Sequence, residues 1–399
     1  MASIQQARLG RIALCVLFAS VIAVNALTLG GWLKSDLWDI NAFLHSGEAH
    51  RLGLNPYAYH DTITPLPGNP TALNMNPPIS ALFFDALAPL GPETTQAILL
   101  WGSLIFIVAT CVLLAKAYPS HRNLATFLAI GANAGVWHTL HGQIYGPLIL
   151  AMACAWLLLR KGDFFTAGLL IGVTVALKPN FAVLPLFLVL AGHNRTGVAA
   201  IATAAVISAV PLLVDGPQIY LQWLDVATSF HAIGIGTNAS LPALAAQAGW
   251  ATAGYALALV ALVGVGTWMW RERPPILNVT AAGIVVALLC GPASWAGYTL
   301  FLLPWLFARE WTPRLWAFSL LMSVPFLVSR HWSEGSVALS VTLGATYAWA
   351  LLLVAATLFA ERKASAPEAS PAAQDTDDTQ PRIWERSAVS GVKLSKEVA

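Results

Sequence analysis

The sequence predicts an all-α polytopic membrane protein with about twelve transmembrane helices, and three observations lead there. Hydrophobic residues make up 57% of the 399 and charged residues only 10%, far below the roughly 25% charged content of soluble domains. Apolar runs close to span length recur along the chain, separated by short polar turns. The 16 tryptophans suit interfacial belts, where an amphipathic ring sits between hydrocarbon and water.

The same composition excludes other classes. A net charge of +2 with no basic cluster interleaved with aromatics gives no footprint for nucleic acid. Cys15, Cys111, Cys154 and Cys290 all lie inside apolar runs. They read as small core residues, neither disulfides nor metal ligands.

The first apolar run, 11–32, follows Arg8 and Arg11. It has the length of a full span and no small-residue cleavage site after it, so it reads as an uncleaved first helix. Further runs cover 78–92, 94–115, 123–140, 143–159, 164–178, 180–192, 196–214, 251–270, 275–291, 294–308, 314–329 and 336–360. The positive-inside rule sends the basic turns to the cytoplasm: Arg160/Lys161, Arg195, Arg271/Arg273, Arg309/Arg314 and Arg362/Lys363. Loops 33–77, 215–250 and 330–335 then lie outside, and they carry the acids Asp36, Asp39, Glu48, Asp61, Asp215, Asp225 and Glu334. With both termini inside, the number of crossings is even, so one run does not span. Segment 78–92 is short, opens at Pro77-Pro78 and contains Asp85; it reads as re-entrant. The expected organisation is a transmembrane domain over 1–360 and a disordered cytoplasmic tail over 361–399, rich in Ala, Ser, Pro and Asp. The two long outer loops show few secondary-structure signals, and their aromatic content argues for function over disorder.

Chemistry-bearing residues gather at outer helix ends. Asp36 and Asp39 stand just beyond the first helix. Acids there serve solvation about as often as catalysis, but a carboxylate near the membrane surface can also act as a general base. Lys178 is the one Lys or Arg in the apolar stretch 164–192. A lysine at a helix end can snorkel, yet alternation puts this one on the outer side, against the usual bias. A functional cation is the better reading, able to bind a phosphate as a point charge. His138, His141 and Gln143 meet at a helix junction where Gly142 permits close backbone approach. Two histidines can also satisfy each other in a core, and no carboxylate joins them as a zinc set. Asn74, Asn76 and Pro77-Pro78, and Ser294-Trp295 with Tyr298, add polar and aromatic groups of the same kind.

Nothing in the chain reads as a phosphate-binding loop, a dinucleotide fingerprint or a nucleophile elbow. Asp375 and Asp377 fall in the tail, where ligands are not fixed. No cofactor and no metal are expected. A lipid-linked sugar flippase or secondary transporter, the rival class, would carry polar residues at mid-membrane on several helices and repeated halves. Here the polar groups concentrate at one side, and no internal repeat is visible.

Six short elements, in order, carry a resemblance. Asp39 is followed four residues later by Phe43, then by the turn Gly53-Leu-Asn-Pro-Tyr57. Next come Asn74-Met-Asn-Pro-Pro78, Gly142-Gln143, and a Gly-rich helix closed by Lys178-Pro179. Asn238-Ala-Ser-Leu241 and Ser294-Trp-Ala-Gly-Tyr298 complete the set. Over roughly 11–330 the chain resembles the bacterial polytopic glycosyltransferases of the GT-C fold, family 87 type. That family includes polyprenol-phosphate-mannose-dependent α-mannosyltransferases. The resemblance implies a multi-pass protein of the bacterial inner membrane. It further implies inverting transfer of a hexose, with mannose expected, from a polyprenyl-phosphate-linked donor to a glycolipid or glycan acceptor on the extracytoplasmic face. The spacing to Phe43 favours Asp39 over Asp36 as the base. Lys178, with Arg330 as second cation, would receive the donor phosphate. Asn55, Tyr57, Asn76, His141, Gln143, Asn238, Ser240, Trp295 and Tyr298 are the implied substrate-binding positions. The family's tyrosine is missing before Pro77-Pro78. Gly297 stands where the family has a histidine, whose role is then lost or supplied elsewhere, with His331 the alternative.

Overall fold

The protein is described by a computed structural model over residues 2–35, 38–63, 73–120, 123–229 and 234–364. Among these residues there is no β-strand, and a single isolated bridge joins Asn238 to Trp295. The chain to Leu358 forms one compact unit; the expectation of a disordered tail falls, from 365 onward, outside the described residues.

Helix α1 (Ala2–Ser35) contains an apolar stretch, Leu9–Leu29, long enough to cross a bilayer. Helix α2 (Trp38–Arg51) follows almost at once, inside the segment that reads from sequence as an irregular outer loop. Asp39 sits in its first turn, where unpaired backbone N–H groups favour a carboxylate. One turn later Phe43 stacks on Phe84 of α3 (Ile79–Leu87), centroids 4.6 Å apart, which clamps α2 to α3. A 3-10 turn, Ala88–Leu90, ends this segment. At about 18 Å it is well short of a hydrocarbon core of about 30 Å. Helix α4 (Pro92–Ala117) is again of span length.

The run 123–140 divides into α5 (Leu124–Ala132) and α6 (Ala134–Leu140) at Asn133. Its backbone is extended, and its side chain accepts from Gly135 N–H at 2.7 Å to restart the helix. Helices α7 (Tyr145–Arg160) and α8 (Phe164–Leu177) form a pair. Lys178 ends α8, and a 3-10 turn, Pro179–Ala182, leads into α9 (Val183–Leu190). Helix α10 (Asn194–Asp215) packs along α8. The second presumed loop also holds helices, α11 (Gln218–Ser229) and α12 (Leu241–Gln247).

Helix α13 (Ala251–Glu272) precedes α14 (Ile276–Cys290), which is buried along nearly its whole length. A 3-10 segment, Ala296–Leu302, continues as α15 (Leu303–Phe307), also buried throughout. The run 314–329 splits at Pro325 into α16 (Pro313–Met322) and α17 (Phe326–Ser333). Last come α18 (Val337–Leu339), a π turn over Ser340–Gly344, and α19 (Thr346–Ala364).

Only some of the expected spans are single long helices. Among the described residues, 4 helices have the length and composition of a span, or 5 if the pair bent by 49° at α18–α19 counts as one. The other apolar runs are shorter than the roughly 20 residues that a straight span needs. Hydropathy averages over the breaks at Asn133 and Pro325 and does not register them, whereas the break at Pro179 falls between two of the runs read from sequence. Irregular backbone is tolerated at membrane depth only where protein covers it, and Ala296–Leu302 is buried at every residue.

Candidate functional site

The start of α2 meets the turn between α6 and α7. Gly142 has φ +98°, and a Cβ there would lie 2.5 Å from Ile40 Cγ1. Only glycine lets the turn close on α2 at this point. The approach carries Gln143 to the residue before Ile40, and Gln143 Nε2 donates to Asp39 Oδ2. Residues 104 apart in sequence thus orient one carboxylate.

Behind them lies a ladder of amides. Asn55 Oδ1 accepts from Tyr57 N–H at 2.9 Å, closing the 53–57 turn. Tyr57 is buried, and its hydroxyl donates to Asn76 O at 2.9 Å. Burial raises the Tyr57 phenol pKa, so it stays a neutral donor. Nearby, His60 N–H donates to His45 Nε2 at 3.1 Å; burial, then the neighbouring His60, lowers the His45 pKa and keeps that acceptor available. Asn74 donates to Ser46 Oγ at 3.0 Å and Ser80 Oγ at 3.1 Å. Its Oδ1 accepts from Asn76 N at 3.0 Å and Asn76 Nδ2 at 2.9 Å. With its amide nitrogen so engaged, Asn76 turns Oδ1 toward Lys178 Nζ, which donates to it.

Lys178 is only 6% exposed, so it does not snorkel to water. Its ammonium lies 4.6 Å from the Tyr145 ring centroid and 5.5 Å from that of Tyr298. Aromatic faces partly replace the lost hydration of a cation. Tyr145 follows Gln143 by two residues at the start of α7, so the ring that faces the Lys178 ammonium stands close in the chain to the amide that holds Asp39.

The second long loop closes the cluster. Asn238 Oδ1 accepts from Ser294 N at 2.9 Å, and its Nδ2 donates to Pro292 O at 3.1 Å. Ala239 N donates to Ser294 O at 2.7 Å, and Ala296 N to Thr237 O at 3.2 Å. Asn180 Nδ2 adds a bond to Ala293 O at 2.7 Å. Held in this way, Trp295 stacks on His138 at 6.4 Å, and His138 stacks on Tyr145 at 6.2 Å. Tyr298 meets Tyr145 edge-on at 4.8 Å.

Gly297 has a clear steric reason. A Cβ there would sit 2.8 Å from Tyr145 Cε2 and 3.0 Å from His138 Nδ1. The imidazole beside this position is therefore His138, whose Nδ1 is buried with no hydrogen-bond partner among the described residues. His331, the alternative read from sequence, is exposed on α17.

Of the residues singled out from sequence, Asp39, Gln143, Asn76, Lys178, Trp295 and Tyr298 come together, with Asn55, Tyr57 and Asn238 supporting them. Ser240 is fully buried and caps α12, accepting from Ala243 N at 3.2 Å. Arg330 pairs with Glu334 at 3.3 Å on α17. His141 Nδ1 bonds Trp137 O at 2.6 Å, and its ring packs edge-on against Phe326. Asp36 lies outside the described residues. Sequence reasoning named Asn74 but missed Tyr145 and the serines Ser46 and Ser80 that Asn74 bonds. Tyr145 does follow Gln143 by two residues at a helix start, but aromatics there are ordinarily core. Among the described residues, no group of three His, Cys, Asp or Glu side chains could hold a metal ion.

Chemically, the cluster offers an oriented carboxylate that can take a proton and a shielded ammonium that can receive negative charge. Aromatic faces between them can pack a sugar ring. The family model described as glycosyltransferase family 87 matches residues 74–292, just over half of the chain. That stretch includes Asn76, Gln143, Lys178 and Asn238, whereas Asp39, Trp295 and Tyr298 lie outside it. No curated protein and no solved structure matches.

Proposed function

The chain belongs to glycosyltransferase family 87 and is a membrane glycosyltransferase, and we propose that it transfers a hexose, with mannose the expected sugar, from a polyprenyl-phosphate donor. The acceptor is a hydroxyl of a glycolipid or glycan at the extracytoplasmic face of a bacterial inner membrane. Family membership takes away the ground for a flippase or transporter. The reading includes a GT-C arrangement of about twelve crossings, with short and broken helices buried among longer ones and 78–92 re-entrant.

The observation that supports this chemistry best is the meeting of Asp39–Gln143 with Lys178–Asn76 beneath Tyr145 and Tyr298. Asp39 takes the acceptor hydroxyl proton while the acceptor oxygen bonds to the anomeric carbon. The bond from that carbon to the phosphate oxygen breaks, and its electron pair leaves with the lipid phosphate. Lys178 takes up the departing charge: an ammonium has three donors, and one of them goes to Asn76. A lipid phosphate is already a competent leaving group, so no carboxylic acid is required to protonate it. One displacement inverts the anomeric centre. Gln143 fixes the carboxylate, and Asn76, braced by Tyr57 and Asn74, fixes the ammonium.

The test is Asp39→Asn in proteoliposomes supplied with labelled polyprenyl-phosphate-mannose and acceptor. Asparagine keeps the size but cannot accept the proton, so turnover should fall about 10²–10⁴-fold while donor binding changes little. Asp36→Asn is the control and should cost far less. If Asp36→Asn is the inactive variant, or neither change affects transfer, Asp39 is not the base.

A further inference from the structure

We propose that the cleft where Arg11 of α1, the start of α5 and Arg309 in the α15–α16 turn come together binds the phosphodiester of an anionic phospholipid. This cavity of about 580 Å³ is separate from the cluster around Lys178. Arg11 stands at the end of the span Leu9–Leu29, the depth at which headgroup phosphates lie. It forms no ion pair among the described residues. Arg309 is held in place from its other side: its guanidinium lies 3.7 Å over the Trp305 ring, and Nε donates to Trp305 O at 3.1 Å.

The walls and floor fit a lipid better than a free ion. Trp311 and Trp316, centroids 4.7 Å apart, line the cavity and pack on an apolar cluster built from Phe18, Ala129 and Ala132. A basic mouth over an apolar floor matches a phosphate attached to acyl chains. Asn123, also in the lining, caps α5, so the positive end of that helix faces the cleft. Among the described residues the charged lining comprises Arg11, Arg309 and Glu310, so basic groups outnumber acidic ones, which suits an anionic phosphodiester. Basic pockets at helix ends recognise anionic headgroups by these same forces. In the topology proposed above, the cleft belongs to the cytoplasmic leaflet; binding itself does not depend on the transfer reaction.

Cys15 lies in the wall one helical turn from Arg11 and serves as the reporter. The full-length protein, with Cys111, Cys154 and Cys290 replaced by Ser, is labelled with a maleimide in detergent. Phosphatidylglycerol, phosphatidylcholine or inorganic phosphate is added in parallel. At a lipid concentration ten times Kd, phosphatidylglycerol should slow labelling by about tenfold, and the other two additions should do little. Arg11→Gln and Arg309→Gln should each remove the difference between the two lipids, and native mass spectrometry should show the loss of retained phosphatidylglycerol. Equal protection by phosphatidylcholine would mean that apolar packing alone fills the cleft. Protection by inorganic phosphate would mean a site for ions. Either result overturns the proposal, as does undiminished selectivity in both arginine variants.

Discussion

Lys178 shows how far a single residue can be read before the fold is known. Its sequence neighbourhood marks it as a cation in an apolar setting, which is compatible with both snorkelling and function. Its 6% exposure and its bond to Asn76 leave only the inward arrangement. No local pattern announces that partner, because 102 residues separate the two. The measurement at this scale is donor binding by Lys178→Met, which keeps the apolar stem and removes the charge. Charge-assisted bonds contribute about 1.5–3 kcal/mol, so affinity for the proposed polyprenyl-phosphate donor should weaken by about 10–100-fold. Native affinity in a folded variant would reduce Lys178 to a structural lysine. Gly297 is the opposite case: resemblance marked it as a departure, and only packing explained it, since Tyr145 and His138 occupy the space that a side chain would need.

At the scale of elements, α2, α3 and α10 are joined by one imidazole. His50 Nδ1 lies 2.6 Å from Asp85 Oδ2, and Nε2 lies 3.0 Å from Asp215 Oδ1. Asp85 is the acid that makes 78–92 a poor span in the sequence; the fold gives that acid a partner. Both carboxylates are partly exposed, at 29% and 23%, so solvent screens the interaction. Replacing His50 by Ala should cost about 1–2 kcal/mol and lower the thermal midpoint. A double-mutant cycle with Asp215→Asn should return a coupling of at least about 0.5 kcal/mol. Additive losses would show that the contact carries no stability. Helices α2 and α11 were not legible as elements, because both lie in polar stretches between spans and owe their order to docking. Trp223 of α11, for example, donates to Met75 O at 3.2 Å, joining the two stretches.

For the whole molecule the open quantity is orientation. Leu52 and Lys161 are both exposed, beyond α2 and at the end of α7. With single cysteines at these positions in a background lacking the native four, an impermeant thiol reagent on intact spheroplasts should label the Leu52→Cys protein and spare Lys161→Cys. The reverse pattern would invert the topology and with it the proposed face of transfer. The sequence by itself determined that this is a helical membrane protein, where its apolar runs lie, and that its middle, residues 74–292, matches glycosyltransferase family 87. Composition and hydropathy are local sums, and motifs are local strings. Tertiary structure decided which runs are straight helices of span length and which are short or broken, because a break is tolerated only where protein buries it. It also decided that Asp39, Gln143, Asn76, Lys178 and Tyr298 share one neighbourhood. The hydrogen bonds that join them link residues 104 and 102 apart in the chain, and such contacts leave no periodic trace in sequence.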